Sequence, residues 1–138
     1  MTAMDEWTIK RGDTFFVEYE LYAGTNPENL IKRIDLSQVD ITCKCRVSPN
    51  DPVVIDITPF ITVTNAVSGV FQIKIPPSKT TELGQAGQTH FFYGDIQIQE
   101  KVAPQDEEKD VETLMDLSIT VVDDYTYTAK GGDSSFLL

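Results

Sequence analysis

The sequence is poor in histidine and cysteine, two residue types common in catalytic and metal sites, since its 138 residues include one histidine and two cysteines. His90 lies far along the chain from Cys43 and Cys45, so the three lack the spacing of a zinc site. The glycines form no phosphate-binding loop, nucleophile elbow or calcium loop. No sequence relation supplies His90 with the nucleophile and orienting partner that a general base needs. We therefore expect no metal, no cofactor and no catalytic residue, and a protein that is not an enzyme.

Basic residues are also scarce, because 11 lysines and arginines face 22 aspartates and glutamates, for a formal net charge of -11. This balance repels phosphate backbones and anionic lipid surfaces, so we expect no nucleic-acid partner and no membrane partner. No apolar run approaches the roughly 20 residues of a membrane helix. Residues 1–6 lack the basic and apolar regions of a secretion signal, so we expect synthesis in a cytoplasm.

The two cysteines are separated by one residue within an alternating segment. Both side chains should therefore point to the same face of a strand. Two residues at this spacing have Cα atoms near the upper limit of about 7 Å for a disulfide, and their orientation is poor. We expect Cys43 and Cys45 to be reduced and buried.

Alternation of apolar and polar residues is the dominant pattern, and it is typical of strands with one buried and one wet face. Longer segments of this kind are residues 15–22, 39–47, 71–75, 92–99 and 115–122, and shorter candidates are residues 8–10, 31–34, 53–57 and 61–64. No helix long enough for a parallel crossover separates them, so the sheets should be antiparallel. The prediction is an all-β antiparallel β-sandwich, immunoglobulin-like or related, with about seven to nine strands. It forms one domain over residues 1–124, followed by a C-terminal arm over residues 125–138.

The connections between strands carry turn and loop chemistry. Residues 78–83 can form a single helical turn with Ser78 as its N-cap. The polar stretch 103–110 is predicted to be an exposed hairpin loop. Arg11-Gly12-Asp13 spells a tripeptide that adhesion receptors bind, but its position favours a turn between the first two strands.

The C-terminal residues are candidates for contact with a partner. An apolar tip on an arm is a liability unless it docks on a protein surface. That surface can belong to the same domain or to a neighbouring subunit, and the sequence leaves both open. The candidate partner-binding residues are Tyr125, Tyr127, Phe136, Leu137 and Leu138.

Several segments, taken in order, resemble the small β-domains of tailed-phage and prophage structural proteins, typified by the N-terminal domain of baseplate upper proteins. The first is Ile9-Lys10-Arg11-Gly12-Asp13-Thr14-Phe15. Further similar segments are residues 34–37 before a long strand, 66–71 at a turn, 83–97 and the closing strand 114–121. The resemblance covers roughly residues 7–124.

This resemblance implies a non-enzymatic structural subunit of a tailed-phage virion, from the tail, baseplate or another virion-associated assembly. Its partners would be other phage structural proteins and copies of itself. One alternative is a receptor- or carbohydrate-binding module at a tail tip, with exposed aromatic platforms at Trp7, Tyr22, Tyr93, Tyr125 and Tyr127. A second alternative is a hydrolase that uses a pair of carboxylates.

Overall fold

The computed structural model describes residues 3–23, 32–33, 35–101 and 109–123 as an all-β sandwich. Its strands are β1 (Ala3–Lys10), β2 (Phe15–Glu20), β3 (Tyr22–Ala23), β4 (Lys32–Arg33), β5 (Val39–Arg46), β6 (Ile55–Asp56), β7 (Ile61–Asn65), β8 (Val70–Ile75), β9 (His90–Glu100) and β10 (Val111–Val122). A 3-10 helix spans Thr58–Phe60, and one short helix, α1, spans Pro77–Glu82. The predicted fold class is thereby confirmed.

The larger sheet has five strands in the order β1-β10-β9-β5-β6. Its pairs are antiparallel except at one edge, where β1 runs parallel to β10 from Ala3 opposite Met115 to Lys10 opposite Val122. The expectation of wholly antiparallel sheets is wrong at this edge. A parallel pair needs a long connection, and here the rest of the domain lies between the first and last strands, so no crossover helix is required.

The second sheet has three strands in the order β2-β8-β7, and β3 and β4 form a separate two-stranded ribbon. Strands β5, β9 and β10 therefore share one sheet while β2, β7 and β8 share the other. This is how strands C, F, G and B, D, E are divided in immunoglobulin-type sandwiches.

The core lies between the two sheets and is filled by the inward-facing half of each alternating segment. The buried apolar residues are Trp7, Ile9, Leu21, Leu36, Ile41, Cys43, Cys45, Ile57, Phe71, Ile73, Ile75, Phe92, Ile96, Met115, Leu117, Ile119 and Val121. The period-two pattern thus predicted the inward faces of β2, β5, β8, β9 and β10, whereas of β1 it predicted only residues 8–10. It placed Cys43 and Cys45 correctly, as buried free thiols.

A chain of hydrogen bonds joins the sheets between β1 and β2. The indole Nε1 of Trp7 donates to the Tyr19 hydroxyl at 2.7 Å, and that hydroxyl donates to Oδ2 of Asp5 at 2.5 Å. The Trp7 and Phe15 rings pack with their centroids 4.9 Å apart. Because Trp7 and Asp5 belong to one sheet and Tyr19 to the other, these bonds fix the offset of the sheets as well as their spacing.

Some predicted elements differ in detail. The candidate strand 53–57 contains only Ile55–Asp56 as strand, because the chain turns into the 3-10 helix, where Thr58 Oγ1 accepts a hydrogen bond from the Cys43 N–H at 3.0 Å. Ser78 is not the N-cap of α1, as Pro76 occupies that position and Pro77 begins the helix. A proline at the first helical position has the required φ and has no N–H to satisfy.

Two regions of the prediction fall largely or wholly outside the described residues. Of the predicted hairpin loop, only residues 109–110 are described, and the Glu100 N–H donates to the Asp110 carbonyl at 3.1 Å at its base. The predicted arm, residues 125–138, lies wholly outside them.

Candidate interaction surface

The outward side of β1, β10, β9 and β5 forms a continuous surface, which we call the outer face. Strand register arranges its side chains in rows that run across the sheet. One row is Glu6, Ser118, Tyr93 and Arg46, and the next is Met4, Asp116, Asp95 and Lys44. Each row begins at the β1 edge and ends at β5, so the register fixes which charges lie at which side.

Two aromatic rings stand out on this mostly polar surface. Phe91 is 57% exposed and Tyr93 is 56% exposed, and both occupy outward positions of β9. The inward residue between them, Phe92, is buried in the core. The burial of Phe92 follows from the alternation of apolar and polar residues along β9. Packing within the domain does not account for the two large rings on the solvent side of the strand.

A surface depression of about 400 Å³ lies beside Tyr93. Its remaining lining comes from Lys44, Cys45, Arg46, Pro49, Gly94, Asp95 and Gln97. An aromatic ring, two cations, a carboxylate and an amide therefore meet at one concave site. This set offers a stacking surface together with hydrogen-bond donors and acceptors.

Two carboxylates face each other across neighbouring strands beside this depression, because Asp95 of β9 is the register partner of Asp116 of β10. Partial burial and then the charge of Asp116 raise the pKa of Asp95. The Gln97 side-chain amide nitrogen lies 3.3 Å from Asp95 Oδ2 and 3.4 Å from Thr113 Oγ1. Asp95 and Asp116 lie on the same surface as the aromatic rings, and their like charges repel each other.

The candidate aromatic platform is only partly supported. Trp7 is 3% exposed, so its predicted role as an exposed platform is wrong; its indole lies in the core and hydrogen-bonds to Tyr19. Tyr93 is exposed as predicted. The side chain of Tyr22 and the candidate residues Tyr125, Tyr127, Phe136, Leu137 and Leu138 lie outside the described residues. Sequence reasoning missed Phe91, although its signal was present as a second aromatic two residues from Tyr93 on the wet side.

The cysteines are held by the fold in an unreactive form. Burial raises the pKa of Cys45 to about 11 and raises the pKa of Cys43 as well. A thiol is a weak nucleophile unless ionised, so both are inert near neutral pH. Gly94 faces Cys45, and a Cβ at Gly94 would lie 2.7 Å from the Cys45 Cβ and would also clash with the Lys44 carbonyl.

The Arg11-Gly12-Asp13 turn is tied into the domain. Arg11 is 9% exposed, and its Nη1 lies 2.8 Å from Oδ1 of Asp123 while its Nε donates to the Thr81 carbonyl at 3.3 Å. Gly12 has a φ of 86°, and its N–H donates to Thr80 Oγ1 at 3.0 Å. The turn is therefore structural, as predicted, and its arginine is not displayed for a receptor.

His90 is likewise occupied by packing and by the backbone. Its Nε2 accepts a hydrogen bond from the Gln85 N–H at 3.1 Å. Its ring stacks on Phe92 with the centroids 6.4 Å apart. Both contacts are structural, since one is made with the backbone and the other with a core ring.

No protein-family model and no curated protein matches this chain. Within the described ranges, no helix is long and apolar enough to cross a membrane. In the same part of the chain, no three histidine, cysteine, aspartate or glutamate side chains are grouped so that they could hold a metal ion.

Proposed function

We propose that this protein is a non-enzymatic structural subunit of a tailed-phage virion and that it acts through protein–protein contacts made by its outer face. The observation that carries the proposal is the pair of exposed rings, Phe91 and Tyr93, on a sheet face whose other exposed side chains are mostly polar, with Met4 as an exception. Aromatic residues and arginine are enriched at protein interfaces and at their energetic centres. Arg46 lies next to Tyr93 in the same row, which places an arginine beside an exposed aromatic ring.

The sheet gives these side chains fixed positions. Tyr93 lies on a central strand, paired with Arg46 on one side and Ser118 on the other. Strand register fixes the backbone beneath these side chains, so binding orders side-chain rotamers but no loop, which lowers the cost of forming a contact. A rigid platform of this kind suits a repeated assembly, where symmetry multiplies weak contacts.

The single histidine and the two cysteines, which are common catalytic residue types, have structural roles. Cys43 and Cys45 are core thiols, and His90 accepts a backbone hydrogen bond and stacks on an aromatic ring. These contacts leave neither the histidine nor the cysteines exposed as a nucleophile or base, which supports the proposal of a role in binding.

The resemblance to phage structural β-domains supplies the biological setting. Under this proposal the partners are other phage structural proteins and further copies of the chain, and the protein is located in the virion after synthesis in the host cytoplasm. The sandwich architecture agrees with that resemblance, although many unrelated proteins share such an architecture.

The experiment is incorporation into particles. Virions purified by density gradient should contain the chain in a fixed ratio to the major tail or capsid proteins, as measured by quantitative mass spectrometry. The F91S/Y93S variant should fold but be depleted from particles, because serine removes the rings and keeps the surface polar. A matched control is Phe16→Ser, which removes a ring that is 53% exposed on the other sheet. Absence of the unaltered chain from purified particles would overturn the proposal.

A second candidate is a carbohydrate-binding module at the tail tip, and the depression beside Tyr93 favours it. A sugar ring can stack on Tyr93 while Asp95, Gln97, Lys44 and Arg46 bond to its hydroxyls. A glycan array should then show binding that Tyr93→Ala abolishes. No glycan bound above background would remove this candidate and leave the first unaffected.

A further inference from the structure

The outer face carries opposite charges at its two sides. Glu6 lies on the edge strand β1 and Arg46 lies on β5, at the two ends of one row, and both are exposed. Three strand spacings separate them, or about 14 Å. Ser118 and Tyr93 occupy the two positions between them.

A row with unlike charges at its two ends is complementary to the same row of a second copy that has been rotated by a half turn. A two-fold axis parallel to the strands, passing between β10 and β9, lays β1 of one copy over β5 of a second copy. Glu6 then opposes Arg46 of the second copy, twice in each pair, and Ser118 opposes Tyr93. The charged ends attract and the exposed ring contacts a small side chain, which is the arrangement of an isologous interface.

We propose that two copies of this chain pair through their outer faces about this axis, with Glu6 of each copy against Arg46 of the other. This inference rests on the proposed assembly role and names the surface through which copies meet. The occupant of the outer face is therefore a second copy.

The size of the face predicts a weak pairing. Four strands about 4.8 Å apart and eight residues long cover roughly 19 Å by 27 Å, or about 500 Å² in projection. Stable complexes bury about 800 Å² on each partner, so the contact belongs to the weak class. Such a pair dissociates when the free chain is dilute and is held together where many copies are assembled.

The next row contains a repulsive element. Under the same rotation, Asp116 of one copy opposes Asp95 of the second, while Met4 opposes Lys44. Like charges at short range weaken the pairing and limit it in the free subunit. Removing one of these charges should therefore strengthen the pair.

Charge reversal tests the proposal by sedimentation velocity over a concentration series up to several hundred micromolar. Glu6→Arg alone and Arg46→Glu alone should each weaken self-association about tenfold or more, because each creates two like-charge pairs. The double variant E6R/R46E should restore association, since the pairs return with reversed polarity. A mixture of the two single variants should also associate, because each supplies the charge that the other lacks.

Matched controls separate this geometry from net charge. Glu18→Arg and Lys74→Glu make the same changes in charge on the exposed side of the three-stranded sheet and should leave association unchanged. Asp116→Asn should strengthen association severalfold. Circular dichroism and the urea midpoint confirm that each variant folds.

Equal association of all variants, or failure of the double variant and of the mixture to recover, would overturn the proposal. A chain that is present in virions yet shows no face-dependent pairing would overturn this inference alone. Absence of the chain from virions would overturn the proposed function, whatever the sedimentation result.

Discussion

Tyr19→Phe should destabilise the domain far more than the loss of one hydroxyl group from its surface would. The Tyr19 hydroxyl is the shared atom of the link between the sheets, as it accepts from Trp7 Nε1 at 2.7 Å and donates to Asp5 Oδ2 at 2.5 Å. Trp7 is 3% exposed, so its N–H would lose its partner in a position with little access to water. Leaving a buried donor unpaired costs about 1–3 kcal/mol, and the lost bond to Asp5 adds about 0.5–1.5 kcal/mol.

The expected total is a loss of about 1.5–4.5 kcal/mol in the free energy of unfolding. With a urea dependence of about 2 kcal/mol per molar for a domain of this size, the urea midpoint should fall by roughly 0.8–2.2 M. Tyr93→Phe is the matched control, since it removes the same group from an exposed ring and should change stability by less than about 0.5 kcal/mol. Urea unfolding followed by tryptophan fluorescence measures both. Equal effects of the two substitutions would refute the argument that these bonds tie the sheets together.

Three further predictions concern the core, the loss of stability at alkaline pH and the C-terminal arm. Gly94→Ala should lower the free energy of unfolding by about 1–3 kcal/mol or more, because the added Cβ would clash with Cys45 and the Lys44 backbone. Gln97→Ala on the same strand is the control and should lower it less, as measured by thermal unfolding. The pKa of Cys45 is raised to about 11, and that of Cys43 is raised as well, so above about pH 9 the thiols ionise in the unfolded chain before they ionise in the folded one. The free energy of unfolding should therefore be constant in this respect below about pH 9 and fall above it, by up to about 1.4 kcal/mol per pH unit for each thiol. Urea midpoints measured in reducing buffer at pH 7.5, 9 and 10 should show this fall, and C43A/C45A should show less of it; equal falls would contradict the assignment. Deletion of residues 130–138 should leave the circular dichroism and the urea midpoint intact but weaken assembly, and unchanged sedimentation would exclude a role for the arm.

The sequence predicted the fold class and the buried faces because alternation reports directly which side of a strand is apolar. It did not predict strand partners. The parallel pairing of β1 with β10 joins the two ends of the chain, and alternation along β1 shows which face is buried but not which strand lies beside it. The N-cap of α1 was missed for a local reason, because Ser78 was given more weight than the two prolines before it.

The candidate surface was predictable in part. Tyr93 could be placed on the wet side from the pattern, whereas Trp7 was treated as a surface aromatic although it shares the period of buried Ile9. The rows of the outer face depend on the register of β1, β10, β9 and β5, which is set by tertiary pairing between distant segments. Opposite charges at the ends of one row, Glu6 and Arg46, are 40 positions apart in the chain, and only the folded sheet brings them into line.

The most direct test of the outer face as the assembly contact is hydroxyl-radical footprinting of the free chain and of the same chain in purified virions. Phe91 and Tyr93 should be oxidised readily in the free chain and be protected severalfold in the particle. Phe16, which is almost equally exposed on the opposite sheet, should be less protected and serves as the internal reference. Protection of Phe16 with Phe91 and Tyr93 still exposed would contradict the account.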